Sequence, residues 1–91
     1  MTEAVLDNPT RHRFELELDG HMALSEYTLA PGVITFVHTV VPPELEGRGV
    51  ASRLMKAALD QVRARGLKVV AKCPFVAAFI AKHADYRDLL V

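Results

Sequence analysis

Val40-Val41-Pro42-Pro43-Glu44-Leu45-Glu46-Gly47-Arg48-Gly49-Val50-Ala51-Ser52 is the stretch on which the reading of this chain turns. A β-branched run stops at two prolines, and a glycine-bracketed turn then opens a segment of helical apolar period. Without a Cβ, Gly47 and Gly49 allow unusual backbone dihedrals and close approach by a ligand. The first N–H groups of the following helix have no partner inside it, and the helix dipole adds positive charge there. The turn therefore suits a pyrophosphate held by main chain, with Arg48 able to add a charged contact from outside. Such a turn also serves as an ordinary strand-to-helix connection. Its glycine spacing matches neither the Gly-Lys-Ser/Thr phosphate loop nor Gly-x-Gly-x-x-Gly.

Upstream, His12-Arg13-Phe14-Glu15-Leu16-Glu17-Leu18 alternates apolar and charged residues, and Asp19-Gly20 is a favoured type I′ hairpin pair. A two-residue turn sets Leu18 opposite His21, Leu16 opposite Ala23, Phe14 opposite Ser25 and Arg13 opposite Glu26, the last as a cross-strand ion pair. The second strand, from Met22 to Leu29, ends at Pro31-Gly32. Val33 to Val41 reads as a third strand that is apolar on both faces, with Ile34, Phe36, His38 and Val40 on one and Val33, Val37 and Val41 on the other. That pattern suits a strand inside a sheet. Downstream, Val50, Ala51, Leu54, Met55, Ala58, Leu59 and Val62 recur at helical spacing, and Gly66 supplies a left-handed cap. A strand from Leu67 to Lys72 follows, closed by Cys73-Pro74, and Phe75 to Lys82 forms a short buried helix. The order β-β-β-α-β-α predicts an α+β fold, an α/β sandwich. Its sheet is mostly antiparallel, with one parallel pair joined by a right-handed crossover helix. A ligand would sit at the carboxyl ends of that pair, where the glycine turn and the Cys-Pro junction meet.

The 91 residues make one domain, expected over 11–91 after a loose terminus at 1–10. Eleven basic and eleven acidic residues cancel, which removes the broad electrostatic footprint of a nucleic-acid binder or a polybasic membrane module. No apolar run approaches the ~20 residues that span a bilayer. The single cysteine cannot form an internal disulfide, and Met1-Thr2-Glu3-Ala4 begins no signal peptide, so a reducing cytoplasm is the expected compartment.

The Val40–Ser52 segment resembles the acetyl-CoA-binding motif of GNAT-type N-acetyltransferases, Gln/Arg-x-x-Gly-x-Gly/Ala, with Gly49-Val50-Ala51 matching its last three positions. The chain is similar throughout to a family of very small single-domain GNAT-like proteins. The likeness is carried by His38-Thr39-x-Val41-Pro42, Glu46-Gly47-Arg48-Gly49-Val50-Ala51, Cys73-Pro74 and Lys82-His83-x-x-Tyr86. It implies a truncated GNAT-like fold and an acetyl-CoA-dependent N-acetyltransferase. Val40 and Val41 would pair with the pantetheine arm, and the amides of Gly47 to Ala51, flanked by Glu46 and Ser52, would hold the pyrophosphate. Two departures stand out. Glu46 occupies a position commonly Gln or Arg, and because a carboxylate would repel the phosphates, its side chain is expected to point away. The amino-terminal helices and carboxyl-terminal strands that build the acceptor pocket in larger members are not expected in these residues, so the resemblance leaves the amine acceptor unspecified.

Cys73 is the candidate nucleophile. With Pro74 as first helical residue, Cys73 takes the N-cap, where helix amides and dipole favour a thiolate able to accept the acetyl group. The bland alternative is a small buried apolar residue. His38, beside the pantetheine site, is the candidate base, against a role as a core residue with one satisfied hydrogen bond. The resemblance offers Tyr86 as an acid toward the departing CoA, although an anchor for the carboxyl tail is the more ordinary role. Phe75 and Phe79 read as core. His12, His21 and His83 lack metal-ligand spacing, so no metal is expected. Transfer to an amine, directly or through acetyl-Cys73, and a non-catalytic CoA-binding module both remain open.

Overall fold

A computed structural model describes residues 5–91. Strand β1 (Val5–Asn8) is followed by β2 (Arg13–Leu18), β3 (His21–Ala30), β4 (Val33–Val40), helix α1 (Val50–Ala64), β5 (Lys68–Ala71) and α2 (Pro74–Lys82). A single 3-10 turn lies at Pro43–Leu45 and a longer 3-10 segment at Ala84–Leu89. The five strands form one sheet in chain order. All neighbours are antiparallel except β4 and β5, which run parallel and are joined by α1.

Local chemistry explains most of the boundaries. Asp19 and Gly20 both take positive φ, as a type I′ turn requires, and the turn sets Leu18 opposite His21 and Phe14 opposite Ser25 as expected. Helix α1 ends in a Schellman arrangement around Gly66 (φ +70°). The Gly66 amide donates to Arg63 O at 3.0 Å and the Leu67 amide to Val62 O at 3.2 Å. Val50, Leu54, Met55, Ala58, Leu59 and Val62 on α1 meet Phe14, Leu16, Ala23, Tyr27, Ile34 and Phe36 of the sheet in a single core. Val76, Phe79 and Ile80 of α2 close the same core.

Three expectations are corrected. Residues 5–8 are not a loose terminus but an edge strand paired with β2, while residues 1–4 lie outside the described chain. Asp7 ties this strand down by accepting from the Tyr27 hydroxyl and from Arg65, the C-cap of α1, at 2.8 Å, and Gln61 donates to Val5 O at 2.9 Å. Arg13 stands opposite Glu26 in register, yet its guanidinium bonds Glu15 on its own strand at 2.6 Å.

The third correction concerns β4. Glu26 pairs with His38 but the next residue, Tyr27, pairs with Phe36, so Val37 is an extra residue in β4, a β-bulge. Because side chains alternate with period two, one added residue exchanges the faces beyond it. Ile34 and Phe36 are fully buried, whereas Val37, His38 and Val40 are exposed. His38 therefore does not share the face of Ile34 and Phe36, and Thr39 turns toward the core instead.

Candidate functional site

The parallel pairing of β4 and β5 ends at Phe36 and Ala71. The amides of Lys72 and Cys73 both converge on Phe36 O at 3.0 Å, which turns the chain away from β4 and into α2. Among the described residues, β4 beyond Phe36 thus has a strand on one side only. The opening is a cavity of about 430 Å³ lined by His38 to Val41, Glu46, Ala51 and Phe75. It shares Val41, Glu46 and Ala51 with a second hollow of about 250 Å³ over Gly47, Gly49 and the first turn of α1. The two form one cleft at the carboxyl ends of the parallel strands.

Gly47 and Gly49 have φ of +78° and +72°, and Gly49 is the N-cap of α1. A Cβ at either would meet nothing within 4 Å, so left-handed backbone rather than crowding is what demands glycine, and the space above the turn is open. The first internal helix bond is Arg53 N to Gly49 O at 3.1 Å, leaving the amides of Val50, Ala51 and Ser52 without intrahelical acceptors. Glu46 differs from these, because its amide donates to Pro43 O at 3.2 Å. Arg48 reaches the hairpin turn between β2 and β3, bonding Asp19 at 2.9 Å.

Cys73 is the N-cap of α2 with Pro74 at the first helical position, but its sulfur makes no capping bond. The thiol is 4% exposed and donates to Thr39 Oγ1 at 3.4 Å. Thr39 Oγ1 in turn lies 3.0 Å from Ser25 Oγ, a fully buried hydroxyl, so thiol and hydroxyls form a chain beneath the cleft floor. His38 lies on the opposite face of β4 and is exposed on the cleft wall, so the two candidate catalytic residues do not touch. Ser25 and Thr39 were missed from sequence: Ser25 stands at a core-facing position in the β2–β3 register, and the bulge hides Thr39.

Tyr86 is an anchor. Its hydroxyl donates to Asp60 Oδ1 of α1 at 2.7 Å, and burial, then that bond, pushes its pKa up. Phe79 is core, whereas Phe75 is only partly buried and forms part of the cleft wall. Among the described residues, no group of three or more His, Cys, Asp or Glu is placed to hold a metal, and no helix is long and apolar enough to cross a membrane.

A strand-bulge-turn-helix cleft beside splayed parallel strands defines the class, and comparison with known proteins agrees. Residues 13–89 match the family model described as GCN5-related N-acetyl-transferase, and the chain belongs to that family. It is 32% identical over 77 residues to protein NATD1 of Mus musculus, covering 80% of this chain and 69% of that protein. The human NATD1 is likewise 32% identical, with 67% of its length covered. The solution structure of a GCN5-like putative N-acetyltransferase from Staphylococcus aureus superposes with a TM-score of 0.75 at 27% identity, covering 97% of this chain and 87% of that one. The GNAT-like α+β fold expected from sequence is thereby shown, with β1 added ahead of the three antiparallel strands that were expected.

Proposed function

We propose that the chain transfers an acetyl group from acetyl-CoA to an amine. The continuity of the cleft carries the reading, because the glycine turn opens through Val41 and Ala51 directly onto the unpaired stretch of β4. Pyrophosphate at the amides of α1's first turn and pantetheine along Val40 and Val41 bring the thioester beside His38. The amine nitrogen attacks the thioester carbonyl, and His38 accepts the amine proton. The C–S bond then breaks, and the departing CoA thiolate takes a proton from solvent. Arg48 is bound to Asp19, so the amides of α1's first turn carry the pyrophosphate contact in this reading.

A second route is favoured by one contact, that of the Cys73 thiol with Thr39, which itself lines the cleft. There the Cys73 sulfur attacks the thioester carbonyl as its proton passes to the departing CoA sulfur, and the amine then attacks acetyl-Cys73, its proton returning to the released Cys73 sulfur. The burial of Cys73 favours the direct route. A reducing cytoplasm suits the lone thiol.

Intact-mass analysis with acetyl-CoA, run alongside CoA release in the presence of a lysine peptide or a polyamine, tests the reading. Direct transfer gives amine-dependent CoA release and unmodified protein. An acetyl adduct lost in Cys73→Ser would establish the covalent route. Acetyl-CoA binding with no release under any amine would make the domain a cofactor-binding module and overturn the proposal.

A further inference from the structure

The bulge at Val37 completes a square of side chains on the face of the sheet that turns away from the core, and the chemistry above leaves two of its members unused. Glu26 pairs with His38, and Leu24 with Val40, across β3 and β4. Directly opposite residues share a face, so all four project together, while Ser25 and Thr39 between them point inward. His38 and Val40 also line the cleft, which joins the square to the site of acetyl transfer. Glu26 is half-buried, and among the described residues no hydrogen bond or ion pair reaches its carboxylate or the His38 ring. Arg13, on the other side of Glu26 in register, directs its guanidinium to Glu15 at 2.6 Å and to Met22 Sδ at 3.8 Å. Leu24 is half-buried and Val40 is 40% exposed, so the free carboxylate adjoins apolar surface.

An unpaired carboxylate beside an unpaired imidazole, flanked by two aliphatic side chains at the mouth of the cleft, has the chemistry to hold a short alkyl chain with a nitrogen at each end. We infer that the acceptor is an alkyl diamine, whose far ammonium binds Glu26 while its near nitrogen is placed at His38 and its methylenes lie against Leu24 and Val40. The inference rests on the amine-acetylation reading of the cleft and names the substrate class for it. Cβ atoms of directly opposed residues are about 5 Å apart, so one short chain serves both groups. An alkylamine titrates at about 10, like a lysine side chain, and therefore arrives protonated. The ammonium held at Glu26 eases the loss of a proton from the near nitrogen, because like charges close together disfavour each other. That nitrogen gives one proton to solvent and attacks the acetyl carbonyl as a free amine. It then loses a further proton to His38, and CoA leaves as a thiolate that solvent protonates.

Steady-state CoA release by the full chain from acetyl-CoA, with putrescine or butylamine as acceptor, tests the inference, because the two share a chain length and differ in the far nitrogen. Putrescine is expected to show a kcat/KM about tenfold higher at low salt, mostly through KM. The preference should shrink as salt is raised, since salt screens a partly exposed ion pair. In Glu26→Gln, which keeps the shape of the side chain, it should vanish through a rise in KM for putrescine. Butylamine turnover and the melting shift that CoA produces should stay as in the parent, and circular dichroism checks that the variant folds. Equal kcat/KM for the two amines, a preference indifferent to salt, or one that survives Glu26→Gln would overturn the inference while leaving transfer to amines intact. Release with a lysine peptide but with neither small amine would overturn it likewise. No release with any amine would remove both readings.

Discussion

Thr39 accepts the Cys73 thiol, lies within hydrogen-bond distance of Ser25, and also lines the cleft. Replacing it by Val keeps the shape but leaves two polar groups beneath the floor without their partner. Thr39→Val should therefore lose about 1–3 kcal/mol in urea unfolding. Unchanged stability would mean that neither bond contributes. With 4% exposure, Cys73 should react with iodoacetamide slowly in the native state and quickly after denaturation, and faster in Thr39→Val than in the parent. Rapid alkylation of the native parent would place the thiol in the open cleft. At the turn, Gly47→Ala and Gly49→Ala add no clash but force an L-residue to positive φ. Each should cost about 1–2 kcal/mol and weaken CoA binding, as read by the melting shift that CoA produces.

At the scale of elements, the sequence was most informative where one local rule decides the outcome. The Asp19-Gly20 turn fixed the β2–β3 register, Gly66 ended α1, and the apolar period of α1 named its buried face. It was least informative where a long-range contact decides. Val5–Asn8 carries no strong strand pattern, yet Asp7, Tyr27, Gln61 and Arg65 hold it as an edge strand from positions far along the chain. The bulge at Val37 left no local mark either, and it moved His38 and Thr39 to faces opposite those expected. The Asp7–Tyr27 tie also predicts a pH dependence. Burial first, then the Asp7 bond, raises the Tyr27 pKa from its ordinary 10.0 to about 12. The unfolded chain gives up this proton first. Stability is therefore full below about pH 10 and falls as the pH rises toward 12. Tyr27→Phe should flatten that part of the urea-midpoint profile, and an unaltered slope would assign it elsewhere. Further along the chain, Tyr86→Phe removes the hydroxyl's bond to Asp60 and its contact with Lys56, and should cost about 1 kcal/mol without changing acetyl transfer. A specific loss of turnover would return Tyr86 to the chemistry.

For the whole molecule, one crossover connection determines where ligand can bind. The crossover brings β5 alongside β4 for four residue pairs only, and the departure of the chain at Lys72 and Cys73 opens β4 beside the amino terminus of α1. The glycine turn and the Cys-Pro junction were legible in the sequence, because each lies at the end of a strand whose direction the order of elements dictates, but it is Phe75 and not Cys73 or Pro74 that lines the cleft. The acceptor side was not legible, since no described segment encloses it. The central claim is that this cleft holds acetyl-CoA. Amide chemical-shift mapping by NMR during titration with CoA tests it most directly. The account predicts the largest shifts at Gly47 to Ser52 and at His38 to Val41, with smaller ones in β1 and β2. Saturable binding whose shifts avoid both of those segments would contradict it.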